Sequence, residues 1–219
     1  MVAHKNKSTE SSILKTIDSL RANGFDVWFA NNQDEAVQIF WDEIFSKIKP
    51  EIVSWGDSLT LHGLDIISKL QQAPNVELIE PFGENLTWRE QINNRKKALS
   101  SDLFLTGTNA ITTKGQLVNI DMIGNRIAGI AFGPKKVVIF AGVNKIVENL
   151  DAAIDRIKST AAPQNAKRHK DELKTPCQST GECTDCHSPQ RICNIWQITE
   201  KSYPVNRIKI ILINEHLGF

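Results

Sequence analysis

The sequence predicts an α/β domain with a mainly parallel sheet that carries helices on both faces. Short apolar segments typical of strands alternate along the 219-residue chain with longer segments of helical spacing. Strands separated by helices of roughly 10 to 15 residues are typical of crossover connections between parallel strands. In addition, "EIVSW" and "KKVVIF" lack regular polar alternation, as expected for strands covered on both faces.

The first half of the chain supplies three helices and three strands in alternation. The helical patterns are "SSILKTIDSLRANG", "QDEAVQIFWDEIFSKIKP" and "LTLHGLDIISKLQQA", and the strand patterns are "FDVWFA", "EIVSWG" and "VELIEP". In the first helix the apolar positions predicted to share one face are Ile13, Leu14, Ile17 and Leu20. Gly24 follows as a stop signal, which supports the end of this helix.

The second half continues the alternation and adds a hairpin. In "TWREQINNRKKALSS", Thr87 and Glu90 have the spacing of a capping box at a helix start. The later patterns are the strand "DLFLTG", the hairpin "AITTKGQLVNID" turning at Lys114-Gly115, the strand "KKVVIFAG", the helix "NLDAAIDRIKSTAA" and the strand "RIKIILINEHL". We therefore predict one α/β domain over residues 8–219, interrupted by a small cysteine-rich insert over residues 163–195.

Composition argues against two classes of partner. The formal net charge is +1, with 41% hydrophobic and 23% charged residues, so composition gives no reason to expect nucleic acid or an anionic membrane surface. No apolar run approaches the roughly 20 residues of a membrane span. We expect a cytoplasmic protein of ordinary folded composition.

All four cysteines of the chain lie within seventeen positions, spaced C-x5-C-x2-C-x6-C. They are Cys177, Cys183, Cys186 and Cys193. Disulfides are uncommon in the cytoplasm, so this cluster favours metal ligation. The first expectation is an iron–sulfur cluster and the alternative is a tetrahedral zinc ion, with free or redox-paired thiols also open. His187 is a further candidate ligand.

Small polar residues follow three of the predicted strands, where parallel sheets bind their ligands. The candidates for anion binding at these strand ends are Gly56, Ser58, Gly107, Thr108, Asn109, Asn144 and Lys145. Ser58 is also explained as a helix N-cap, and a lone loop lysine is often solvated. His62 is interpreted as structural. The dinucleotide-binding, P-loop and serine-hydrolase motifs do not occur in the sequence.

The hairpin and the residues after it complete this candidate site. Asn119 and Asp121 lie two positions apart, so in a strand their side chains share a face. Asn125 and Arg126 follow, and an arginine binds a carboxylate or phosphate through two parallel hydrogen bonds. Asp121 is the acid–base candidate. Turn chemistry alone also accounts for a run of Thr, Asn, Gly and Asp.

Several blocks resemble the LUD-domain family, which includes lactate-utilization proteins. They are "DLFLTGTNAITTKGQLVNIDMIGNRIAGIAFGPKKVVIFAGVNKIVENLDAAIDRIK", "TPCQSTGECTDCHSPQRICN" and "IKIILINEHLG". The resemblance covers nearly the whole chain, and it is most specific in "GTNAITTKGQLVNIDMIGNR". It points to the branch with a C-terminal four-cysteine segment. Where that branch has Gly-Gly-Ser in the first glycine loop, this chain has Gly56-Asp57-Ser58.

This resemblance implies a fold like that of CoA transferases and ribose-phosphate isomerase, and a link to the oxidation of L-lactate to pyruvate with iron–sulfur partner subunits. Three functions stay open. The first is a subunit of a 2-hydroxyacid oxidation system that binds an anionic metabolite and a metal centre. The second is a stand-alone isomerase or CoA-transferase-like enzyme acting on a phosphorylated or acyl substrate. The third is a non-catalytic interaction module with structural zinc.

Overall fold

Ten α-helices and ten strands make up the described part of this computed structural model, which is residues 2–83 and 85–219, with side chains from residue 10 onwards. The helices are α1 (Val2–Ala22), α2 (Gln33–Ile39), α3 (Ser46–Ile48), α4 (Leu59–Gly63), α5 (Ile66–Gln71), α6 (Trp88–Lys97), α7 (Asn125–Ala131), α8 (Leu150–Arg156), α9 (Ala162–Arg168) and α10 (Pro176–Thr180). The strands are β1 (Asp26–Ala30), β2 (Ile52–Trp55), β3 (Glu77–Ile79), β4 (Leu103–Gly107), β5 (Ala110–Thr112), β6 (Leu117–Asp121), β7 (Lys136–Gly142), β8 (Ile146–Val147), β9 (Ile195–Thr199) and β10 (Ile208–Ile213).

The main sheet has six parallel strands in the order β1-β10-β7-β4-β2-β3. The six strands predicted from the sequence, other than the hairpin, are the six strands of this sheet. The predicted fold class is therefore confirmed. Because every strand runs in the same direction, all their carboxyl ends lie along one edge.

Both faces of this sheet are buried, as the apolar strand patterns predicted. Along β7, Val137, Ile139 and Ala141 pack on the side that includes the apolar residues of α1. Val138 and Phe140, which alternate with them, pack on the other side against residues of α2, α4 and α5. In α1 the predicted apolar face differs at one position, since Leu14 is 58% exposed.

A second, four-stranded sheet in the order β8-β5-β6-β9 was not predicted. Its centre is the predicted hairpin, in which β5 pairs antiparallel with β6 and Gly115 turns the chain with φ of 76°. β8 has only two residues and β9 follows the cysteine segment, so neither has a clear pattern of its own. Ala153 and Ile157 pack against Ala110 and Val118, and this sheet therefore has its own small core.

One long helix crosses the boundary that the sequence suggested for the insert. A π-helical turn at Ile157–Ala161 joins α8 to α9, so the helix continues from Leu150 to Arg168. Pro163 lies just after this π-helical turn, where the altered hydrogen-bond pattern accommodates a residue without an N–H donor. The segment after it contains the short helix α10. No helix in residues 2–83 and 85–219 is long and apolar enough to cross a membrane.

Candidate functional site

A cleft of about 710 Å³ lies at the carboxyl edge of the main sheet. Its walls include residues that follow β2, such as Asp57 and Ser58, and residues that end β4, such as Gly107 and Thr108. From β2 the chain continues to β3 on one side, and from β4 it continues to β7 on the other. The cleft therefore lies at the point where the strand order reverses, where open α/β sheets bind ligands.

The fold brings most of the predicted site residues together in this cleft. Those that line it are Ser58, Gly107, Thr108, Asn109, Asp121, Asn125, Arg126 and Lys145. Three others, Gly56, Asn119 and Asn144, lie behind its wall. The carboxamide oxygen of Asn144 accepts a hydrogen bond from the backbone N–H of Leu217 at 3.1 Å, which holds the segment after β10 against the cleft.

Two glycines permit close approach at the base of the cleft. A Cβ atom at Gly56 would lie 2.9 Å from Cγ of Arg126 and 2.9 Å from Oγ1 of Thr106. A Cβ atom at Gly107 would overlap the hydroxyl of Ser58. Ser58 itself caps α4, because its Oγ accepts from the N–H of Leu61 at 3.4 Å. These glycines therefore permit close packing at the base of the cleft, and their predicted role in anion binding stays a prediction.

Asp121 and Arg126 form the central ion pair of the cleft. One carboxylate oxygen of Asp121 accepts from Nε of Arg126 at 2.9 Å. The other accepts from the backbone N–H groups of Arg126 at 2.9 Å and Ile127 at 3.1 Å, which caps the start of α7. Nη2 of Arg126 donates to Oδ1 of Asn109 at 2.7 Å and to the carbonyl of Ile120 at 2.9 Å. Within the described residues its Nη1 makes no hydrogen bond.

The side chains of Asn109 and Asn119 join β4 to β6. The backbone N–H of Asn109 donates to Oδ1 of Asn119 at 3.1 Å, and Oδ1 of Asn109 accepts from the N–H of Ile120 at 3.0 Å. Asn119 is fully buried, and its Nδ2 has no hydrogen-bond partner among the described residues. These two amides therefore hold Asn109, which follows β4, against β6 at the wall of the cleft.

Lys145 is buried at the cleft wall, where its side chain is only 4% exposed. Its Nζ donates to Oγ1 of Thr60 at 3.0 Å, and no carboxylate of the described residues forms an ion pair with it. Burial, together with the positive charges of Arg156 and Arg126, lowers the pKa of Lys145 to about 7. This amine is therefore partly neutral near neutral pH.

Three further residues line the cleft that were not predicted as site residues: Asp57, His62 and Arg168. Oδ1 of Asp57 lies 3.0 Å from Nε2 of His62, and the guanidinium of Arg168 donates to both carboxylate oxygens. Burial raises the pKa of Asp57, but the hydrogen bonds from His62 and Arg168 outweigh burial and hold the pKa well below its usual value. The acid of the Gly56-Asp57-Ser58 loop is therefore a paired carboxylate at the cleft.

An aromatic pair holds a further arginine at the cleft. The guanidinium carbon of Arg95 lies 4.6 Å from the ring centre of Phe82 and 5.1 Å from that of Trp88. All three residues line the cleft, and burial lowers the pKa of Arg95. Arg95 lies on the amphipathic helix α6, and its sequence context gave no signal of a site.

The four cysteines converge on one small cavity of about 20 Å³ beside the cleft. All four thiols are free and partly buried. Arg191 holds the loop, donating to the carbonyls of Cys186 at 2.7 Å and Cys193 at 3.0 Å. Among the described residues, no group of three or more Cys, His, Asp or Glu side chains has the arrangement of a metal site. His187 is exposed and does not line the cavity.

The cysteine cavity and the cleft have two wall residues in common, Ala162 and Ile192. Ala162 begins α9, and Ile192 directly precedes Cys193. A group bound by the thiols would therefore be adjacent to a ligand in the cleft.

Comparison with known proteins agrees with this architecture. The sequence-family model of the LUD domain matches residues 13–213 of this chain. The chain belongs to the LUD-domain family. This LUD-domain protein is also similar to the crystal structure of a DUF162 family protein from Deinococcus radiodurans, with a TM-score of 0.51 and 10% identity, over 94% of this chain and 98% of that one. At that identity the similarity concerns the fold alone. No curated protein matches the sequence.

The predicted resemblance to the LUD-domain family is thereby confirmed. The family is associated with lactate utilization, and the matched residues include both the cleft and the cysteine segment of this LUD-domain protein.

Proposed function

We propose that this LUD-domain protein binds a small 2-hydroxyacid, with L-lactate as the expected member, as a subunit of an oxidation system with redox partner subunits. The observation that carries this proposal is the charge of the cleft. Among the described lining residues, Asp121 is paired with Arg126 and Asp57 with Arg168, and Glu172 lies 3.4 Å from Nδ1 of His169. Lys145 and Arg95 form no ion pair with a carboxylate of the described residues. An arginine without an ion-pair partner and a buried, partly protonated lysine favour an anionic ligand.

The contacts suggest how a hydroxyacid would be held. Nη1 of Arg126 is free of hydrogen bonds to the described residues, and a guanidinium fixed by Asp121 and Asn109 presents a rigid donor to a carboxylate. The hydroxyl of Thr108 donates to the carbonyl of Ala110 at 3.2 Å, so it retains acceptor capacity for a ligand hydroxyl.

The contacts of Asp121 support a positioning role. Its carboxylate accepts three hydrogen bonds from Arg126 and Ile127, so its oxygens are already engaged. A general base needs a lone pair directed at the proton that it removes. The acid–base role assigned to Asp121 from sequence therefore stays a prediction without support from these contacts.

The four cysteines are the proposed ligands of a metal centre. Four thiols around one cavity are a suitable donor set for either zinc or an iron–sulfur cluster. Either centre would require the loop to rearrange, because no group of three or more Cys, His, Asp or Glu side chains in the described residues has the arrangement of a metal site. When bound, such a centre would stabilise the loop and, if it is iron–sulfur, supply redox capacity.

Calorimetry tests the binding proposal directly. L-lactate, glycolate and pyruvate are titrated into the wild-type protein and into Lys145→Met, with Lys136→Met as the matched control. Lys136 is partly buried at the opposite edge of the sheet, where its Nζ donates to the carbonyl of Asn206. We expect binding that is lost in Lys145→Met and kept in Lys136→Met. Binding of ribose 5-phosphate or an acyl-CoA in place of all three acids would favour the isomerase or transferase alternative.

Metal analysis of anaerobically purified protein tests the centre separately. Visible absorption with iron and sulfide in the sample supports a redox role for the centre. A colourless protein with one zinc per chain restricts the centre to structural support. Protein with neither metal, purified from cells supplied with both, contradicts a metal centre.

A further inference from the structure

We propose that Lys145 is a carbonyl-reactive lysine, which forms an imine with the carbonyl carbon of a small 2-oxoacid in the cleft. The inference rests on the proposed function in one respect, because the same cleft would hold the carboxylate of the oxoacid. It goes beyond that function by assigning covalent chemistry to a side chain that the sequence suggested only for anion binding.

Lys145 is enclosed by backbone and by a hydroxyl group. Its Nζ donates to Oγ1 of Thr60 at 3.0 Å, and that hydroxyl donates to the carbonyl of Leu217 at 3.2 Å. A Cβ atom at Gly218 would lie 3.4 Å from Nζ, so the segment after β10 packs directly against the amine. Lys145 is also a lining residue of the cleft. The amine is therefore fixed in position beside the cleft.

The charged groups that act on Lys145 are cations. Arg156 on α8 and Arg126 on α7 both lower its pKa, and no carboxylate among the described residues pairs with it. Arg156 is itself held by carbonyl groups, since it donates to Asn109 at 2.7 Å and to Asn144 at 3.2 Å. Burial without a counterion and proximity to other cations are the two conditions that turn a lysine into a nucleophile.

The proposed step conserves atoms and electrons without an added oxidant or reductant. The neutral nitrogen attacks the carbonyl carbon, and the electron pair of the C=O bond moves to oxygen, which takes a proton. The nitrogen then loses its protons as water leaves, and a C=N bond remains. Arg126 lies nearby to hold the carboxylate, so binding would place the carbonyl carbon next to the amine.

Reductive trapping tests the proposal. Wild-type protein is incubated near neutral pH with pyruvate and sodium cyanoborohydride, and the adduct is located by peptide mass mapping. A parallel sample contains acetaldehyde, which needs no anion site. Burial lowers the pKa of both Lys145 and Lys136. We expect modification of Lys145 to be several-fold faster than that of Lys136, because only Lys145 lines the cleft that would hold the probe. Lys145→Met should lose this adduct.

The outcomes separate this proposal from the proposed function. If pyruvate binds in calorimetry but neither probe modifies Lys145 faster than Lys136, the imine proposal is wrong and acid binding stands. If no acid binds but acetaldehyde modifies Lys145 selectively, the proposed function fails and the reactive lysine stands. Because the adduct is mapped in the wild-type protein, the result does not depend on the folding of the variant.

Discussion

At the scale of single residues, Lys145 and Gly56 determine the character of the cleft. Lys145 is an amine buried without a carboxylate partner among the described residues, and Gly56 leaves the space that Cγ of Arg126 fills. The sequence identified both positions from their places after strands. It could not show that one is buried beside two arginines, since Arg126 and Arg156 come from different helices.

The pH dependence of stability should report the buried amine. The pKa of Lys145 is about 7 in the folded protein, against 10.5 for a free lysine. Between these values the unfolded chain binds more protons, so the free energy of unfolding rises with pH. We expect wild type to gain on the order of 3 kcal/mol relative to Lys145→Met across this interval. Urea denaturation at several pH values measures the free energy of unfolding of both proteins. An equal dependence of this free energy on pH in wild type and Lys145→Met would contradict the prediction.

Gly56→Ala should weaken ligand binding by displacing Arg126. The added Cβ would lie 2.9 Å from Cγ of Arg126, which is closer than such atoms normally approach. We expect affinity for the acid to fall about tenfold, equivalent to about 1.4 kcal/mol. Gly63→Ala is the control, since its Cβ would meet only Oε1 of Gln33 at 3.7 Å. Calorimetry measures the affinity of both variants for the acid. Equal affinities of Gly56→Ala and Gly63→Ala would show that Arg126 does not bind the ligand.

At the scale of elements, the helix starts position the site. The capping box of Thr87 and Glu90 predicted for α6 is confirmed, with Thr87 N–H donating to Glu90 at 2.8 Å. The start of α7 was not predicted, because Gly124 at its N-cap makes no side-chain bond and the cap comes instead from Asp121. A local sequence pattern therefore predicts a helix whose capping residues lie at its own start. It does not predict a helix whose cap comes from the strand before it.

Asp121→Ala should destabilise the protein strongly. It removes the cap of α7 and leaves the guanidinium of Arg126, whose side chain is 11% exposed, without its counterion. Loss of the cap and an uncompensated buried charge together predict a loss of about 3 kcal/mol. Asp155→Ala removes an exposed carboxylate on α8 and should change stability by less than about 0.5 kcal/mol. Chemical denaturation compares them, and similar losses in the two variants would mean that the ion pair contributes little.

At the scale of the whole molecule, the six-stranded sheet could be predicted because its strands are almost purely apolar, whereas the composition of the cleft could be predicted only in part. Asp57 and Arg168 are 111 positions apart and meet only through the tertiary fold. Arg168 also lies in the segment that the sequence suggested to be a cysteine-rich insert, whereas the structure places it at the end of α9. Likewise, the spacing of the cysteines suggested a shared centre, but not that Ala162 and Ile192 would separate it from the cleft.

Removal of the proposed metal should affect both cavities. Because Ile192 forms a wall of the cleft and precedes Cys193, we expect chelation to lower the melting temperature and to weaken acid binding several-fold. The double variant Cys183→Ser/Cys186→Ser is the control, since it lacks the centre and should not respond to the chelator. Differential scanning fluorimetry and calorimetry measure the two effects. A chelator response that persists in the double variant would place the metal elsewhere.

The continuous helix from Leu150 to Arg168 contacts three different regions of the protein. Near its middle Arg156 holds the backbone of Asn109, further along Ala162 borders the thiols, and at its end Arg168 holds Asp57. A tilt of this helix would move all three contacts together. We therefore expect the oxidation or ligation state of the cysteines to change the rate of hydrogen–deuterium exchange at the backbone amide of Asn109.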